Sequence, residues 1–189
     1  MTLQQSINER NNAPATVIRD GAIRLERVLP GPIERVWAYL TESDKRAKWF
    51  GAGEMEPRAG SSVAFWIRHA DLSPRIVPIP DKFKAFEGGV SIEQRILKFE
   101  PPHVLCLTWG DKGAPSEVTF ELTAEGDKVR LVLTHTRIAD RVTMANAASG
   151  WHTHLAILAA RLNDRVPTSF WTLFSEVEAD YQTRIAHPT

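Results

Sequence analysis

NAASGWHTHLAILAARLN, residues 146–163, reads as one long amphipathic helix, and the fold follows from what that helix needs. Its large apolar residues Trp151, Leu155, Leu158 and Leu162 are spaced four, three and four apart, which at 100° per residue puts them on one narrow stripe. Burying such side chains contributes roughly 1.5 to 3 kcal/mol each, so the stripe requires a partner surface. The strand-like segments between residues 22 and 137 are the only surface broad enough. The helix is therefore expected to lie across a sheet.

Upstream of the helix the hydrophobic period is two. Strand-like runs cover residues 90–99, 104–109, 117–122 and 129–135, separated by Pro101-Pro102, by residues 110–115 and by Glu125-Gly126-Asp127. Such short turns make antiparallel neighbours. Val63, Phe65 and Ile67 alternate with Ala64, Trp66 and Arg68 after a Gly60-Ser61-Ser62 turn, which is expected to pair this strand with residues 54–56. Residues 70–89 hold Pro74, Pro78, Pro80, Gly88 and Gly89 and read as a long loop. The first strand starts near Ala22, with Ile23, Leu25 and Leu29 as its apolar positions and Arg27 breaking the pattern, and Pro30-Gly31-Pro32 stops it. Pro32 suits the first turn of a helix, and Ile33, Val36, Trp37 and Leu40 follow at helical spacing. Thr41 and Ser43 can cap a second short helix over residues 44–49, which Gly51 and Gly53 end.

The two ends read differently. Residues 1–20 are polar and aperiodic, a mobile lead-in. Beyond Pro167, the residues Phe170, Phe174, Val177 and Tyr181 repeat the four, three, four spacing, with Ile185 a turn later. This second helix from about residue 167 is expected to fold back on the same domain, the alternative being a homodimer interface.

With 189 residues, 43% hydrophobic and 24% charged, the chain supports one domain. Lys plus Arg equals Asp plus Glu at 23 each, so no net field draws it to nucleic acid or an anionic membrane. The longest wholly apolar run, residues 155–160, is too short to span a bilayer. No apolar signal region lies in residues 1–20, and the single Cys106 sits in an apolar run. A cytoplasmic location is expected.

Motifs for chemistry are few. G-x-S-x-G and S-x-x-K are absent, and Cys106 has no activating partner in the sequence. His152 and His154, at i and i+2, lie about 200° apart on a helix, so they cannot share one metal ion as an i, i+4 pair does. His154 borders the apolar stripe as a rim residue, and His152 faces solvent. Gly51-Ala52-Gly53 and Gly88-Gly89 lack the setting of a nucleotide fingerprint, and no cofactor is expected. Lys45, Arg46 and Lys48 read as a solvated face.

Three stretches carry a resemblance: IRLERVLPGPIERVWAYLTESDKRAKWF at residues 23–50, EPPHVLCLTWG at 100–110 and GWHTHLAILAARL at 150–162. Together they resemble the START-like superfamily, and within it the family related to the activator of the ninety-kilodalton heat-shock protein ATPase. The Phe170-Trp171 pair followed by EVEADYQTRI looks like an extension found in one bacterial branch. The resemblance implies an α+β helix-grip fold, a curved antiparallel sheet wrapped round the C-terminal helix, with an apolar cavity between them that binds or carries a small hydrophobic molecule. Small residues at Ala147, Ala148, Gly150 and Ala159 leave room. Trp37, Trp66, Leu107, Trp109, Phe120, Leu131 and Leu133 are candidates for one wall, and Trp151, Leu155 and Leu158 for the other. Glu93, Arg95, His135 and His154 are the polar candidates, with His135 placed to meet His154 or Arg95. An imidazole there could polarise a carbonyl, as in the polyketide cyclases and aromatases that resemble this fold. The alternatives to a carrier are therefore a cyclase-like or hydratase-like enzyme using the same cavity, and a chaperone accessory.

Overall fold

The structure is a computed structural model and describes residues 3–110 and 115–186. Seven strands, β1 (Thr16–Arg19), β2 (Ala22–Pro30), β3 (Ser62–Ile67), β4 (Val90–Glu100), β5 (Val104–Trp109), β6 (Ser116–Glu125) and β7 (Lys128–Thr136), form one antiparallel sheet among the described residues. Their spatial order is β1-β2-β7-β6-β5-β4-β3. Strands β4 to β7 pair in succession, and β2 pairs with β7, so the first long strand lies beside the last. The turn expected at 110–115 lies largely outside the described residues, at 111–114. Alternation is cleanest in β3, where Val63, Phe65 and Ile67 are buried and Ser62, Ala64 and Trp66 are exposed.

Helix α1 (Leu3–Asn12) precedes the sheet, and α2 (Ile33–Thr41) and α3 (Ser43–Arg46) follow β2. Helix α2 buries Ile33, Val36, Trp37 and Leu40. Arg46, expected on a solvated face, is buried instead. Its guanidinium reaches the C-terminal carbonyls of α2, at Leu40 (3.3 Å) and Thr41 (2.8 Å), and the carbonyl of Gly53. A cation suits that negative helix end, and Arg46 also lies 4.9 Å from the centre of the Phe65 ring.

The strand expected over residues 54–56 does not form. Ala52 makes a single bridge to Trp66, through bonds of 3.0 and 2.8 Å. The ladder goes no further because the backbone of Gly53 is bonded elsewhere, its N–H donating to Ser43 Oγ (3.0 Å) and its carbonyl accepting from Arg46, and its φ of +144° and close approach to the Ala64 carbonyl leave no space for a side chain. The chain crosses β3 at close range and leaves.

Helix α4 (Arg141–Leu162) is longer than the stretch read from the sequence. Asp140 begins it, accepting from Thr143 N–H (2.8 Å) and Thr143 Oγ1 (2.7 Å). The stripe of Trp151, Leu155, Leu158 and Leu162 is buried, but so are Ser149, His152, Thr153 and His154. Helix α5 (Phe170–Tyr181) and the turn Gln182–Ala186 cover the face that the sequence assigned to solvent. They bury Phe170, Trp171, Phe174, Tyr181 and Ile185, so the aromatic stripe of α5 packs on its own chain. His152 is therefore enclosed rather than solvated, and its Nδ1 pairs with Tyr181 Oη at 2.8 Å.

Residues 3–19, aperiodic in sequence, are tied to the sheet by contacts that no local pattern announces. Asn11 donates from Nδ2 to the Val28 carbonyl (2.8 Å) and accepts the Val28 N–H on Oδ1 (2.6 Å), replacing a strand neighbour for β2. Ala15 N–H donates to Tyr181 Oη (2.7 Å), and Arg10 pairs with Glu26 (2.5 Å). Arg27, fully buried, donates to the carbonyls of Ala13 (3.1 Å) and Glu26 (2.8 Å), while its Nε and Nη2 have no partner among the described residues. Burial lowers its pKa to about 10. Replacing Asn11 with Leu removes both partners of Val28, and urea denaturation should register a loss of about 1–2 kcal/mol. An unchanged midpoint would show that α1 contributes nothing to the fold.

Candidate functional site

The sheet side of α4 is closed at its centre. Leu107, Phe120 and Trp151 converge there on a void of only about 10 Å³, barely the space of one water. Leu131, Leu133, Leu155 and Leu158 are fully buried and form solid core. Space opens to one side, where β3, β4 and β5 meet α4, α5 and the loop after β3. The pocket there has a volume of about 420 Å³. Concavities of about 380 Å³ beside α1 and about 460 Å³ beside Arg68 and Asp71 also occur, and both mix polar with apolar walls.

Each element contributes for a local reason. Strand β3 ends with Ile67 inward, and His69 continues the same parity into the pocket wall. Val90, Ile92 and Trp109 come from β4 and β5. Phe83 and Phe86 come from a short 3-10 segment, Asp81–Phe86, in the proline-rich loop, which is otherwise irregular as its prolines require. Phe83 stacks on Trp171 at 5.0 Å and meets Phe174 edge-on at 5.3 Å, and Lys82 pairs with Glu178 at 2.7 Å. Helix α5 thus holds that segment over the opening. From α4, Ala147, Gly150, Trp151 and His154 face the space.

Gly150 is informative. A glycine inside a helix costs roughly 0.5–1 kcal/mol against alanine, and a Cβ built on Gly150 would meet no atom within 4 Å. What its absence leaves is room in the pocket.

The histidines divide by their partners. Trp151 Nε1 donates to His135 Nδ1 (3.1 Å), and His135 Nε2 lies 2.7 Å from Ser116 Oγ. An indole N–H can only donate, so the proton of His135 is on Nε2 and goes to Ser116, whose hydroxyl donates to the Trp109 carbonyl (2.8 Å). Both ring nitrogens are used, and His135 meets neither His154 nor Arg95. His154 Nδ1 lies 2.9 Å from the Trp49 carbonyl, which can only accept, so Nδ1 carries the proton and Nε2 is a bare lone pair. His154 is buried, not at a rim. His69 lies against Phe170 (3.9 Å between ring centres) and 5.6 Å from His154.

The other sequence candidates fall elsewhere. Trp37 packs edge-on against Phe99 at 5.3 Å, away from the pocket. Trp66 is 48% exposed on the outer face, lying over Gly89. Glu93 and Arg95 are exposed and border a separate depression with Thr108. Of the predicted residues the pocket gathers Trp109, Trp151 and His154, and it adds Phe50, His69, Phe83, Phe86 and the α5 aromatics. The signal for His69 was its parity with Val63, Phe65 and Ile67. For α5 it was the aromatic stripe, whose position against α4 no spacing reveals.

No Lys, Arg, Asp or Glu lines the pocket, and burial keeps the imidazoles neutral. It lowers His69, His135 and His152 to about 4 and His154 to about 3. Above pH 6.5 these histidines are neutral whether the chain is folded or not. Between 6.5 and about 4 only the unfolded chain takes up the protons, so stability falls as the pH drops. Unfolding free energies from urea titrations at pH 7 and pH 5 should differ by about 1–2 kcal/mol for each of the four histidines. Equal free energies would mean that the rings are not enclosed.

Comparison with known proteins places this geometry. Residues 30–163, more than two-thirds of the chain, match the family profile described as Activator of Hsp90 ATPase homolog 1-like protein. A Bordetella parapertussis protein solved by solution NMR is 45% identical, the match covering 90% of this chain and 89% of that one, with a TM-score of 0.78. CalU16 from Micromonospora echinospora is 21% identical over 93% of this chain and 96% of its own, with a TM-score of 0.64. A conserved protein from Enterococcus faecalis is 19% identical over 95% of each chain, with a TM-score of 0.66. These last two share the fold. No curated protein matches. By the family profile and by the Bordetella likeness, the chain belongs to the family of Activator of Hsp90 ATPase homolog 1-like proteins, built on the helix-grip fold.

Proposed function

We propose that the protein binds or carries a small, uncharged hydrophobic molecule in the aromatic pocket between α4, α5 and the β3–β5 end of the sheet. The observation that carries this reading is Gly150, a helix-interior glycine whose missing side chain faces open space in that pocket. Aromatic walls give a flat apolar guest contact on several faces. The wall from α5 lies beyond residues 30–163, so this chain completes the pocket with a segment outside the family's matched span.

An enzyme that polarises a carbonyl through His135 or His154 fits the geometry poorly. His135 has no free nitrogen, and His154 offers an acceptor, whereas polarisation needs a donor. The chaperone-accessory reading rests on the family's name and draws on no residue described above. Among the described residues no helix is long and apolar enough to cross a membrane, and we place the carrier in the cytoplasm.

Trp109, Trp151 and Trp171 line the pocket, so a bound aromatic should quench intrinsic fluorescence. Titration with naphthalene should give saturable quenching, and Gly150→Phe should weaken it at least tenfold, since the new ring occupies the guest's space. Gly150→Ala should raise stability by about 0.5–1 kcal/mol in urea. Quenching that does not saturate, or that survives Gly150→Phe unchanged, would refute the pocket as the binding site.

A further inference from the structure

The polar side chains of the pocket are His69, His154 and, at its exposed edge on α4, Asn146, whose Oδ1 accepts from Gln182 Nε2 (3.0 Å). His154 cannot exchange its two nitrogens, because the Trp49 carbonyl at 2.9 Å holds the proton on Nδ1. The lone pair on Nε2 has no protein donor among the described residues. With Nδ1 turned to the Trp49 carbonyl, Nε2 is the ring nitrogen left for the pocket that His154 lines. Around it the surfaces are rings: Phe50 lies 5.0 Å from the imidazole centre and Phe170 4.8 Å. A bare acceptor in such surroundings is an unmet demand for one hydrogen-bond donor.

We infer that the molecule this pocket selects is a neutral aromatic bearing a hydroxyl or N–H donor, seated with that donor on His154 Nε2 and its ring among the aromatic side chains. The inference rests on the reading of the pocket as a ligand site and adds the ligand's polarity. It also states what the pocket rejects. A carboxylate would face the lone pair with no lysine or arginine lining the pocket to balance its charge. An ether or bare hydrocarbon would leave Nε2 without a partner and without water. His69, whose ring centre is 5.6 Å from that of His154, is held by no protein hydrogen bond among the described residues, and its tautomer can follow whichever second polar group the ligand carries.

Four probes of matched shape decide the matter: naphthalene, 2-naphthol, 2-methoxynaphthalene and 2-naphthoate, each titrated by calorimetry or tryptophan quenching at pH 7.5. One net hydrogen bond corresponds to about a tenfold preference. The naphthol should therefore bind about tenfold more tightly than the methyl ether, although the ether is the more hydrophobic, and the naphthoate should bind weakest. His154→Phe should abolish the preference for the naphthol over the ether. In the wild-type protein, the nitrogen-15 resonance of His154 Nε2 should move toward lower shift with the naphthol and stay in place with the ether, a readout that needs no variant. Equal binding of naphthol and ether, or an unmoved Nε2 resonance at saturation, would overturn the inference while leaving the hydrophobic pocket intact. Failure of all four probes to bind would overturn the pocket's assignment as well.

Discussion

The enclosure of α4 from two sides is the constraint on which the rest depends. One face meets the sheet through Trp151, Leu155, Leu158 and Leu162, and the opposite face meets α5 and the turn after it. A helix gripped only by a sheet keeps a solvated back. Here the chain covers that back with its own C-terminal helix, and apolar burial on both faces fixes where α4 can lie.

Enclosure turns the buried hydroxyls and rings of α4 toward partners inside. Ser149 and Thr153 return their hydroxyls to the carbonyls of Ala145 and Ser149, both at 2.8 Å, as hydroxyls in a helix can. His152 turns to Tyr181, Trp151 to His135, and His154 to the Trp49 carbonyl. Each of these bonds fixes a ring as well as satisfying it. The acceptor on His154 is therefore a product of packing: the same bond that lets His154 be buried strips its other nitrogen of a proton. Enclosure also bears on the position of the aromatic pocket, since the centre of the sheet is filled by Leu107, Phe120 and Trp151 while Gly150, to one side, leaves room where it lacks a side chain.

Much of the fold was legible in the residues. The period-two runs became β3 to β7, the spacing of Ile33, Val36, Trp37 and Leu40 became α2, and the stripe of Trp151 to Leu162 became the buried seam of α4. These succeed because alternation and helical spacing are local properties of backbone geometry. The strand expected at 54–56 failed because the backbone of Gly53 bonds to Ser43 and Arg46 instead of continuing along β3, a contact between segments. Arg46 and His152 were assigned to solvent for the same reason: what covers them lies far along the chain or across a turn.

What the sequence by itself determined is the order of elements from β2 to α5, apart from the strand expected at 54–56, and the apolar stripe or alternation that each one buries, since both are written in neighbouring residues. What only the tertiary structure decided is the place and polarity of the pocket. His69, His154 and Phe170 are far apart in sequence and meet only because α5 folds back on α4 beside the end of β3. The acceptor on His154 exists because a carbonyl more than a hundred residues away holds its other nitrogen. A hydrogen bond between distant segments leaves no periodicity behind it.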